Sequence, residues 1–193
     1  ASIFEFIFLN MKIVNNSYQI QGIEVSEICK EFGTPLYVYD AQKIVAQLQS
    51  LKNAFSENDI KVKYAAKALT NLSILRLLQK NGSGVDVVSI QEAKLVLHAG
   101  FEPSNIMFTP NCVDFEEIIQ GVELGLNINL DNLSVLEKFG KKYGSNYPCC
   151  IRLNPHIMAG GNYKISTGHG NSKFGISVYQ LPQIRQLVDQ YKI

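Results

Sequence analysis

The chain has 193 residues, is 46% hydrophobic and 18% charged, and carries a formal net charge of +1. That is a globular composition with enough apolar material for one core, and its near-neutral balance removes the electrostatic case for nucleic acid or an acidic membrane surface. The four cysteines, Cys29, Cys112, Cys149 and Cys150, form no C-x-x-C pair and no Cys/His metal spacing, which suits reduced thiols in a cytosolic protein.

Residues 1–10 are apolar, lack a basic leading segment and are far too few to span a bilayer. Met11 is the first methionine, so they read as an extension or translation artefact. A short strand pair is expected around 12–20, then a helix over 24–32 stopped by Gly33. Thr34-Pro35 resets the chain, and Leu36-Tyr37-Val38-Tyr39 alternates like a strand. Asp40 caps a helix running to about Phe55, with Ile44, Val45, Leu48, Leu51 and Phe55 on one stripe.

A repeat follows. Strand-like segments start near positions 62, 84, 106, 126 and 149, roughly one strand–helix unit apart. Thr70 or Asn71 caps the first intervening helix. Ser89 caps the second, with Glu92 three residues on as in a capping box, and Gly100 ends it. Asp114 and Gly125 bound the third, Asn132 or Ser134 and Gly144 the fourth. A last helix is expected over about 178–191. Parallel strands with crossover helices fit either an open sheet or a barrel. The first turn reads Lys67-Ala68-Leu69-Thr70 in place of G-x-G-x-x-G, and five similar units favour the barrel. The fold class is therefore α/β, a partial (β/α)8 TIM-type barrel of about five βα units. A complete barrel takes eight strands and typically ~250 residues, so a piece of a longer protein is expected, with the last strand's edge open.

In such sheets, chemistry gathers at the C-terminal strand ends, where Lys67, Asp86, Thr109, Asp131 and Arg152 fall. Lys67 stands among Ala65, Ala66 and Ala68. Small neighbours leave room for a planar group, and partial desolvation favours the neutral amine that attacks a carbonyl. Asp86 lies in an apolar strand, where an acid needs a partner; Lys67 or backbone N–H groups would serve. Arg152, between Ile151 and Leu153, calls for an anion or aromatic oxygen. The stretch 159–175 is rich in glycine and hydroxyl residues but lacks the phosphate-loop pattern, so a mobile loop at a site mouth is expected. His98 falls on a helix and His156 and His169 in one loop region, too loose a set for a metal.

Tyr64-Ala65-Ala66-Lys67-Ala68 resembles the lysine motif of the fold-type III pyridoxal-phosphate decarboxylases, whose alanine racemase-like barrel links the cofactor to a first-strand lysine. Val85-Asp86-Val87-Val88-Ser89 with Glu92 resembles their next motif, and Gly33-Thr34-Pro35-Leu36-Tyr37-Val38-Tyr39 their lead-in. Arg152-Leu153-Asn154-Pro155, Ser166-Thr167-Gly168 and Ser172-Lys173-Phe174-Gly175 are most similar to the diaminopimelate decarboxylases of that family. The resemblance implies pyridoxal 5'-phosphate as cofactor, held by Lys67 through a Schiff base, with Asp86 near that linkage and Arg152 near the phenolic oxygen. It leaves Glu92 as a helix cap. Leu69 departs from the family, which usually has a polar residue there.

The resemblance also implies two parts: residues 1–32 as a leading segment and 33–193 as an incomplete cofactor-binding barrel. The later barrel strands, with a ring-stacking histidine, a phosphate site and a pyridine-nitrogen acid, would fall beyond Ile193 together with a C-terminal β domain. The implied activity is decarboxylation of meso-diaminopimelate to L-lysine by a cytoplasmic enzyme that is a homodimer when full length, with this piece inactive alone. The alternatives are a polyamine-pathway decarboxylase acting on ornithine, arginine or carboxynorspermidine, and a non-catalytic pyridoxal-phosphate-binding barrel.

Overall fold

The computed structural model describes residues 11–158, 166–170 and 172–193. The chain divides into two compact units, one ending at Ile60 and the other running from Lys61 to Ile193. The expected boundary at residue 33 marks where family-like motifs begin, a different criterion from where internal contacts thin out.

In the first unit, β1 (Met11–Val14), β2 (Ser17–Ile20) and β3 (Ile23–Glu24) form an antiparallel meander. Both connections are two-residue turns with positive φ, Asn15 (50°) and Asn16 (63°), then Gln21 (53°) and Gly22 (82°). Such turns match the twist of the flanking strands, and Asn and Gly tolerate the left-handed region best. Helix α1 (Val25–Phe32) stops at Gly33, whose φ is 83° and whose N–H donates to the Cys29 carbonyl. The strand expected at Leu36-Tyr37-Val38-Tyr39 does not form. These four residues join no ladder and are exposed, Tyr37 by 89%. Alternation sorts side chains between two faces, but a strand also needs a neighbour for its N–H and C=O groups. In α2 (Ala41–Ala54) the Asp40 carboxylate accepts from the Lys43 N–H at 3.0 Å. Of its expected apolar stripe, Leu48 is buried, while Leu51 and Phe55 are exposed.

The second unit holds five parallel strands in sequence order: β4 (Lys63–Ala65), β5 (Gly84–Val87), β6 (Ile106–Phe108), β7 (Asn127–Leu130) and β8 (Cys149–Ile151). Between them run α3 (Leu72–Lys80), α4 (Ile90–His98), α5 (Phe115–Glu123) and α6 (Leu133–Tyr143). Asn71, Ser89 and Asn132 cap α3, α4 and α6 through side-chain oxygens, each accepting from N–H groups of the first turn. Asp114 occupies the same position on α5 without a side-chain hydrogen bond.

The sequence pattern ends at five strands, but the chain continues the sheet pattern. Beyond Arg152, β9 (Leu153–Asn154) pairs in parallel with β10 (Ile176–Ser177), which leads into α7 (Leu181–Tyr191). The Arg152 N–H donates to Leu130 O at 2.7 Å, and its carbonyl accepts from the Ile176 N–H at 2.8 Å. A sixth strand of two residues is too short to show alternation. Gly175 admits the close approach: its φ is 81°, and a Cβ there would lie 2.9 Å from the Asn154 nitrogen.

Strand residues alternate between two faces. Val85, Val87, Ile106, Phe108, Ile128 and Leu130 are buried against Leu75, Ile90, Val96, Ile118, Leu136 and Phe139 from the helices. The register aligns Ala65 with Asp86 and Asp86 with Met107, and Asn129 with Cys150. Those residues therefore share the opposite face.

Candidate active site at the strand ends

Strand β4 ends at Ala65, and Ala66–Ala68 form a single 3-10 turn directly beyond it. Lys67 is the middle residue of that turn. Ala66 is fully buried, and Lys67 beside it is exposed. The turn is tied down by the Leu69 N–H, donating to Ala66 O at 3.0 Å, and by the Tyr64 hydroxyl, donating to Leu69 O at 3.1 Å. A fixed backbone thus carries an accessible amine at the open end of the sheet.

Asp86 lies one strand over, in register with Ala65 and half-buried. Its carboxylate is not ion-paired with Lys67. Oδ1 instead accepts from the Thr109 hydroxyl at 2.6 Å, a length typical of a charge-assisted O–H···O bond. The Asn129 amide donates to that same hydroxyl at 3.5 Å, a longer contact. Lys63, on the same face of β4, donates to Asn105 O at 2.8 Å. Burial holds its ammonium pKa below the ordinary lysine value and Lys61 adds to this, while Asp86 and Cys150 oppose it.

Arg152 is half-buried where the fifth strand passes from its β7 partner to β10. Its guanidinium carbon lies 4.5 Å from the centre of the Phe174 ring, a cation–π contact. It opens on a cleft of about 470 Å³ that Pro155, Ile157, Ser166 and Thr167 also line. Residues 159–165 and 171 of the glycine-rich stretch expected at the mouth lie outside the described residues.

Glu92 is engaged in capping. Its carboxylate accepts from the Val88 N–H at 2.8 Å, and its own N–H donates to Ser89 Oγ. Asp131 is buried and accepts from the Asn111 amide at 2.6 Å, which ties the loop after β6 to the end of β7. His156 faces Ser177 Oγ at 2.8 Å and packs on the Tyr179 ring, and so fastens the loop after β9 to the start of α7.

Sequence reasoning placed Thr109 and Asp131 at strand ends without giving them partners, and it overlooked Asn129. Parity was the available signal, since Thr109 is two residues beyond Met107 and Asn129 two beyond Asn127. Which polar neighbour each meets depends on register between strands about twenty residues apart.

Residues 41–193 match the family model described as "Pyridoxal-dependent decarboxylase, pyridoxal binding domain". The chain is 36% identical over 170 residues to the diaminopimelate decarboxylase of Methanothermobacter thermautotrophicus, a match covering 87% of this chain and 40% of that protein. Among solved structures, diaminopimelate decarboxylase from M. jannaschii in complex with L-lysine superposes with a TM-score of 0.82 at 32% identity, covering 95% of this chain and 44% of that one. The lysine/ornithine decarboxylase of Vibrio vulnificus complexed with putrescine gives a TM-score of 0.71 at 26% identity, covering 88% and 42%. The chain thus spans about 40% of the length of the curated relative it matches.

Proposed function

Given that this chain belongs to the pyridoxal-dependent decarboxylases, we propose that the whole protein decarboxylates meso-diaminopimelate to L-lysine. Lys67 is its covalent anchor for pyridoxal 5'-phosphate. The observation that carries the reading is an accessible lysine held just past the first parallel strand, one strand from an inward-facing carboxylate. Turnover is assigned to the whole protein and not to residues 1–193.

The donor set fits the cofactor. Lys67 offers a primary amine to an aldehyde, Asp86 a carboxylate to a cationic nitrogen, and Arg152 a half-buried guanidinium to an oxygen anion. When bound, the cofactor's ring takes up the electron pair left as the substrate's α-carboxylate departs as CO2. Lys67 would hold the cofactor's aldehyde carbon in place until the substrate amine displaces it, and the turn bonded through Tyr64 and Leu69 limits where its nitrogen reaches. Asp86 would offer its carboxylate to that nitrogen from the neighbouring strand. Arg152 is the anion-binding residue of the three, and Phe174 steadies its plane. Substrate assignment follows the relatives: diaminopimelate decarboxylases match at higher identity and TM-score than the lysine/ornithine enzyme. A cytoplasmic homodimer is part of the same proposal, and the four free cysteines agree with a reducing compartment.

The test uses the full-length protein loaded with pyridoxal phosphate. Borohydride reduction is expected to leave the label on the peptide containing Lys67, and CO2 release is expected from meso-diaminopimelate in preference to ornithine. A label on Lys63 or Lys173 would overturn the anchor assignment, and a preference for ornithine would overturn the substrate.

A further inference from the structure

Thr109 makes two bonds to one short piece of its neighbouring strand. Its N–H donates to Val87 O at 2.8 Å, continuing the β5–β6 ladder one residue past β6. Its hydroxyl donates to Asp86 Oδ1 at 2.6 Å. A hydroxyl has a single proton. The Asn129 amide donates to the hydroxyl oxygen, which leaves that proton for the carboxylate. Backbone and side chain together thus fix the Asp86 carboxylate at one oxygen. Oδ2 has no hydrogen-bond partner among the described residues, so it is available to a group arriving at the mouth. Among the described residues, the ionisable groups on this face near Asp86 are Lys63, occupied by Asn105 O, Cys150 on β8, and Lys67 beyond the strand end.

We infer that Thr109, backed by Asn129, is a positioning residue: it holds Asp86 by Oδ1 so that Oδ2 is presented to the Lys67 nitrogen and the cofactor bound there. This rests on the assignment of Lys67 and Asp86 made above. It predicts that Thr109 acts only through Asp86, whereas a residue that merely ends a strand would act whether or not Asp86 is charged.

A double-mutant cycle in the full-length, cofactor-loaded protein separates the two. Thr109→Val keeps the shape and removes the hydroxyl, and kcat/KM is expected to fall roughly 10- to 100-fold, the range for losing a hydrogen bond to a charged group. Thr109→Ser restores the bond and is expected to stay within about threefold of wild type. In an Asp86→Asn background, Thr109→Val is expected to add less than about threefold. A second readout is the pH midpoint of the visible absorbance of the lysine-bound cofactor. A well-aimed carboxylate favours the protonated nitrogen, so the midpoint is expected to move down in Thr109→Val and Asp86→Asn but not in Thr109→Ser. Should Thr109→Val not fold by circular dichroism, Thr109→Ala removes the same hydroxyl without the second methyl.

Equal losses for Thr109→Val with and without Asp86, or an unmoved midpoint, would overturn the inference. Borohydride labelling of wild type tells its failure from that of the parent reading. Label on Lys67 with a silent Thr109→Val sinks the positioning role alone. No label on Lys67 sinks both.

Discussion

The two faces of the parallel sheet are built on opposite principles. On the helix side, Val85, Val87, Ile106, Phe108, Ile128 and Leu130 are all buried, and the helices close over them at contact distance. On the other side the same strands carry Asp86, Met107, Asn127, Asn129 and Cys150, none of them fully buried. The first face holds the unit together through apolar burial. The second aligns polar groups from neighbouring strands in one register, which is what a site needs if they are to act on one ligand. Adjacent residues of one strand thus serve stability and chemistry in alternation.

Breaking the helix-side face is expected to have the largest effect. Phe108→Ala removes a fully buried ring and should cost about 3–5 kcal/mol in denaturant unfolding of the full-length protein. An unchanged unfolding free energy would show that this ring does not carry the helix-side packing.

A smaller change sharpens the same contrast. Gly121 lets α5 lie directly on β6, and a Cβ there would come within 2.7 Å of Phe108 Cδ1 and 3.1 Å of Ile128 Cδ1. Gly121→Ala gains helix propensity of about 1 kcal/mol but overpacks the core by roughly 1–3 kcal/mol. A modest net loss in unfolding free energy is therefore expected, and a gain would show that the helix can lift without penalty.

The smallest effect compares two neighbours on β8. Cys149 turns to the helix side, and burial pushes its thiol up to about 11, while Cys150 is exposed on the other face. At pH 8 only about a thousandth of Cys149 is thiolate, so iodoacetamide should modify Cys150 well before Cys149, as peptide mass spectrometry would show. The folded state holds the Cys149 proton more tightly than the unfolded chain does. Its contribution to stability is therefore full below the ordinary thiol range and is lost as pH climbs towards 11. Faster modification of Cys149 would mean that the strand's faces are reversed.

Much of this was legible in the linear pattern, because periodicity and capping depend on residues no more than four apart. The recurring strand–helix unit, the caps at Asn71, Ser89 and Asn132, the stop at Gly33 and the opposite facing of Cys149 and Cys150 are all local statements. Lys67, Asp86 and Arg152 were likewise identifiable as charged residues at strand ends. What the pattern left open are partnerships between distant segments. Asp86 met the Thr109 hydroxyl and not Lys67 because β5 and β6 align in one particular register. The strand expected at Leu36-Tyr37-Val38-Tyr39 found no ladder, while β10 formed from two residues that show no alternation. Pairing is a property of two chain segments at once, and neither carries it alone.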